Sequence, residues 1–96
     1  MLIAVAVHPI DVNAHPSVPS GYRWAVHVGD DFTNLDPRWC LNAGWEPTVQ
    51  TAAIAGEAAA VCAARVARRL GQPAEVRTFH LLTDPTGGRD PISLGG

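Results

Sequence analysis

Four stretches of the chain carry the hydrophobic pattern of a strand, and one carries the pattern of a helix. Residues 2–8 are a short apolar run, partly β-branched, and Pro9 stops it. In residues 22–28, Tyr22, Trp24, Val26 and Val28 alternate with Arg23, Ala25 and His27, the period of two of a half-buried strand. Residues 38–45 alternate in the same way, with Trp39, Leu41, Ala43 and Trp45 opposed to Arg38, Cys40 and Asn42. A last alternation, Val76, Thr78, His80 and Leu82 against Glu75, Arg77 and Phe79, marks residues 74–82. The long segment 48–70 predicts a helix. Pro47 suits a first helical turn, Thr48 is a candidate N-cap, and Gly71 followed by Pro73 is a stop.

This order of elements predicts an α+β fold, β-β-β-α-β, in which one long helix packs on one face of a mainly antiparallel sheet of three to four strands. The place of the first strand is open, because residues 10–21, rich in Pro, Ser and Gly, make a long connection. Residues 1–82 are expected to form one α+β domain. Residues 83–96, rich in Gly, Pro and Asp, are expected to be a flexible tail. On the helix, Ala52, Ala55, Gly56, Ala59, Cys62, Ala63, Val66 and Leu70 predict the stripe that meets the sheet. Small residues there let large aromatics such as Trp24, Trp39 or Trp45 fill the space beneath. The opposite face carries Gln50, Glu57, Arg65, Arg68 and Arg69, but also Ile54, Ala58 and Val61. A face that only meets water has no need of Ile54 and Val61, so Ile54, Glu57, Val61, Arg65 and Arg68 are the candidate protein-contact residues.

Composition narrows the chemistry. The chain has 96 residues, one domain's length, and a net charge of -2, so it has no global field to hold a polyanion. All seven basic residues are arginine. The absence of lysine excludes a lysine Schiff base and a P-loop lysine. The apolar run 2–7 is too short to span a bilayer and lacks the flanks of a signal peptide, which points to a cytoplasmic protein. Cys40 and Cys62 lie in no metal-type spacing and read as two buried free thiols, with a disulfide between them as the open alternative.

No recognised catalytic spacing emerges. His8, His15, His27 and His80 form no metal or zinc-protease motif, and Asp30, Asp31 and Asp36 read as turn residues. The expectation is therefore no cofactor, no metal and no enzyme. The enzyme alternative rests on Cys40 as nucleophile with His27 as base. Arg23, Arg38 and Arg77 are the candidate nucleic-acid contacts, on the sheet face away from the helix.

The stretch 23–29, the run Trp39-Cys-Leu-Asn-Ala-Gly-Trp-Glu-Pro-Thr48 and the alanine-rich helix ending in Arg-Arg-Leu-Gly71 resemble small orphan proteins of phages that infect actinobacteria. That resemblance implies a small protein in the host cytoplasm that works by contact with a host protein. Abundant Ala, Arg, Gly and Pro without lysine fits a GC-rich genome. Gly44, Thr48 and Ala52 also resemble the approach to the helix in HicB-type antitoxins, which share the hairpin, third strand and helix. The acidic residue that those antitoxins carry at the helix start is missing here, and no DNA-binding module follows. The resulting expectation is a protein-contact function, with the chain itself (a homodimer) and a host protein as partners. A nucleic-acid-associated or antitoxin-like module is the alternative.

Overall fold

The computed structural model describes residues 1–14, 16–29 and 40–84. The described elements are β1 (Leu2–Pro9), β2 (Tyr22–Val28), β3 (Cys40–Glu46), α1 (Val49–Arg69) and β4 (Glu75–His80). They build one four-stranded mixed sheet in the order β3-β2-β1-β4, with α1 packed on it. β1 pairs antiparallel with β2 and parallel with β4, and β2 pairs antiparallel with β3. The fold is the expected α+β arrangement. The helix carries the chain from one edge of the sheet to the other, which lets β4 run parallel to β1.

β1 takes the centre because it can be buried on both faces. Ile3, Val5 and Val7 point toward the helix, while Ala4, Ala6 and His8 point away, and all six are fully or almost fully buried. On the helix side the core is Ile3, Val5, Val7, Trp24, Val26, Ala52, Ala60 and Ala64. Burying each large side chain there contributes ~1.5–3 kcal/mol.

Local chemistry sets the helix ends. The Thr48 hydroxyl accepts from the Thr51 amide at 3.1 Å, and the Thr51 hydroxyl accepts from the Thr48 amide, closing a capping box. At the other end Gly71 adopts a left-handed φ of 82°. There the Gln72 amide donates to the Ala67 carbonyl at 2.9 Å, and the Gly71 amide donates to the Arg68 carbonyl at 3.0 Å.

The helix lies on the sheet in a different rotation from the expected one. Its buried line is Ala52, Gly56, Ala60, Ala64 and Ala67, whereas Cys62, Val66 and Leu70 are exposed. The shift is roughly 80° about the helix axis at 3.6 residues per turn. Close approach accounts for it: a Cβ on Gly56 would stand 2.5 Å from Val5 Cγ1 and 3.3 Å from Trp24 Cβ. A helix seated that near admits alanine beneath it, and no room is left there for Val66 or Leu70.

The tryptophans divide between the two faces. Trp24 faces the helix opposite Gly44, where an added Cβ would lie 2.7 Å from the indole. Trp45 was expected on that face but pairs with Arg23 on the other, and its indole N–H donates to the Pro19 carbonyl at 3.2 Å. The reason is register. With Trp24 opposite Gly44, the neighbouring Trp45 must point the other way. Trp39 lies outside the described residues.

Gly56→Ala should lower stability by ~1–3 kcal/mol through overpacking, against the gain of about 1 kcal/mol that helix propensity alone predicts. Urea denaturation measures this. A midpoint equal to or above that of the parent chain would contradict the close approach.

Candidate functional site: the outer face of the helix

Rotation of α1 onto its smallest residues decides what it shows to solvent. Ile54 is 67% exposed, Val61 40% and Val66 57%. Ala58, Cys62, Glu57, Arg65, Arg68 and Arg69 are exposed with them. At 100° per residue, Ile54, Ala58, Val61 and Arg65 form one crest pointing directly away from the sheet. Glu57 lies on the flank nearest β4, where its Oε1 accepts from the Thr78 hydroxyl at 2.8 Å. Arg68 donates from Nη2 to the Ala74 carbonyl at 2.7 Å, tying the helix end to the start of β4. Arg65 makes no hydrogen bond or ion pair among the described residues.

The candidate nucleic-acid residues do not gather in the same way. Arg23 is exposed on the face away from the helix, paired across the ladder with His8 and Trp45. Arg77 sits on that face in a different row, and its Nε donates to Glu75 Oε1 at 2.9 Å, so its charge is already answered. Arg38, Asp30, Asp31, Asp36 and His15 lie outside the described residues.

The second sheet face holds four rows of side chains among the described residues, the outermost being Leu2 with Glu75. Trp45, Arg23 and His8 form one, Ala43, Ala25, Ala6 and Phe79 the next, and Cys40, His27, Ala4 and Arg77 the third. Ala4, Ala6, His8, Ala25 and His27 on this face are buried. Cys40 and His27 are cross-strand partners beside a register shift at Val26/His27. The Cys40 thiol nonetheless donates to the Asn42 carbonyl at 2.9 Å. It therefore spends its proton on its own strand, which is not the arrangement of an activated nucleophile. Both cysteines are free, but neither is buried: Cys40 is half-buried and Cys62 exposed.

At the far end of this face, His8 Nδ1 donates to the Pro9 carbonyl at 2.9 Å and stands 3.7 Å from Asp84 Oδ1. Asp84 Oδ2 accepts from the Asp11 amide at 3.0 Å. The cluster escaped the sequence reading because it joins residues more than 70 positions apart, and only the parallel pairing of β1 and β4 brings them together. It clasps the segment after β4 to the end of β1. Among the described residues no group of three or more His, Cys, Asp or Glu side chains is arranged to hold a metal ion. A surface depression of about 330 Å³ is lined by Met1, Leu2, Pro73, Ala74 and Glu75, and there the Met1 ammonium donates to the Pro73 carbonyl at 2.8 Å. No helix among the described residues is long and apolar enough to cross a membrane.

No protein-family model matches the chain, and no curated protein or solved structure shows significant similarity to it. The outer helix face thus stands on its own geometry.

Burial lowers the pKa of His27 below its usual 6.5 by penalising the charged form. The unfolded chain then binds the proton more readily than the folded one. The stabilising effect is present above pH 6.5 and is lost as pH falls from there through the folded pKa. His27→Gln should flatten the decline in unfolding free energy between neutral and mildly acidic pH. An unchanged slope in urea titrations at several pH values would contradict this role.

Proposed function

We propose that this chain is a small phage-type protein that works by protein–protein contact, with the outer face of α1 as its contact surface and a host cytoplasmic protein as its target. The observation that supports the reading is the exposed apolar crest: Ile54 and Val61 point away from the sheet with Ala58 between them and Arg65 beside them. Arginine is enriched at protein interfaces, and an exposed apolar crest beside it is the kind of surface that a partner can cover. Neither residue is needed to hold the fold, since both lie on the side of the helix that touches no strand.

The arginine reading has less support. Arg77 is paired with Glu75 and Arg23 stands apart from it; the exposed Trp45 beside Arg23 offers one stacking surface, but Ala4, Ala6, Ala25 and His27, which lie between the two arginines, are buried.

At sub-micromolar concentration the double variant Ile54→Glu/Val61→Glu should unfold at the parent's denaturant midpoint. It should lose capture of the discrete protein that the parent chain retains from an actinobacterial host lysate. Equal capture by parent and variant would remove this face from the function. Salt-sensitive binding of DNA or RNA by the parent would favour the alternative module.

A further inference from the structure

We infer that the outer face of α1 binds a second copy of this chain, the two helices running antiparallel about a two-fold axis at Val61. The inference rests on the reading of that face as a contact surface and adds the identity of one occupant. Its basis is the order of charges along the crest. Glu57 lies four residues before Val61 and Arg65 lies four residues after it. Within one chain these two are eight residues apart, ~12 Å along the axis, too far to pair. Arg65 has no partner of its own among the described residues, and Glu57 uses only Oε1, toward Thr78. A two-fold axis at Val61 sets Glu57 of one copy level with Arg65 of the other, on opposite flanks of the seam, and does so twice, so that these long side chains pair by reaching across it. It brings the two Val61 side chains together and lays each Ile54 along the methylene stem of the other copy's Arg68.

The alternative orientation is unfavourable. Parallel helices would stack Arg65, Arg68 and Arg69 on their own copies and leave both Glu57 carboxylates facing each other. Ala58, next to the axis, allows the helices to approach to the usual ~8–10 Å. The shared stretch, Ile54 to Arg68, is ~21 Å long. A contact of that length is at the small end of specific interfaces, so the dimer should dissociate in the micromolar range.

Three measurements test this. Sedimentation velocity of the parent chain should show a monomer converting to a dimer as concentration rises. In a chain with Cys40→Ser and Cys62→Ser, Val61→Cys should form an intermolecular disulfide with diamide, while Ile54→Cys should not, because the two copies of position 54 lie ~21 Å apart along an antiparallel pair. Glu57→Arg should abolish the dimer, as should Arg65→Glu/Arg68→Glu, and an equimolar mixture of these two chains should restore it as a heterodimer. Cross-linking at both positions, or a mixture that stays monomeric, overturns the antiparallel pairing. A parent chain that stays monomeric while its capture of a host protein still depends on Ile54 and Val61 overturns the dimer and leaves the contact reading intact. A monomer whose capture is indifferent to those residues overturns both.

Discussion

Where Gly56 passes over the sheet, the helix backbone comes so near Val5 and Trp24 that a single added methyl would meet Val5 Cγ1 at 2.5 Å. Everything else in the arrangement follows from that approach. It requires the helix to set its smallest residues downward, which it does with Ala52, Gly56, Ala60, Ala64 and Ala67. It fixes the depth at which Trp24 must lie, and Trp24 in turn needs a residue without a side chain across the ladder, supplied by Gly44. The two glycines sit on either side of one indole. Dispersion is strong at such separations and falls away quickly as they grow, so the contact is intolerant of volume in either direction.

The same rotation determines the outer surface. Turning alanine toward the sheet leaves the larger apolar side chains of α1, Ile54, Val61 and Val66, on the solvent side. The usual arrangement of an amphipathic helix is thus partly reversed, with small residues inside and branched residues outside. That reversal links packing to function here: the side chains excluded from a close contact with the sheet are the ones available to a second protein.

Much of the fold is legible in the sequence. The strand over residues 22–28, the Thr48 cap and the Gly71 stop each depend on a few neighbouring residues, and the structure has all three, although β2 is buried on both faces from Trp24 to His27 rather than half-buried. The rotation of the helix is not legible in the same way. On a helix with nine alanines, several stripes are equally small, and only the contact with Val5 and Trp24 selects one. Trp45 illustrates a second limit. Its face depends on the register between β2 and β3, a long-range property that alternation within one strand does not contain. The His8–Asp84 contact lies further out of reach, because it arises from the parallel pairing of two strands at opposite ends of the chain. The exposed positions Ile54, Glu57, Val61, Arg65 and Arg68 are recoverable because a face opposite to alanine is outward in either rotation.

Thiol accessibility at Cys62 separates the two rotations most directly, since one buries this residue and the other exposes it. The measurement is the rate of modification by a thiol reagent in a Cys40→Ser chain, without denaturant and at sub-micromolar concentration, where association does not cover the helix. A helix seated on Gly56 and its alanines predicts modification at the rate of an unstructured thiol. Protection of Cys62 until the chain unfolds would contradict the packing on which the whole account depends.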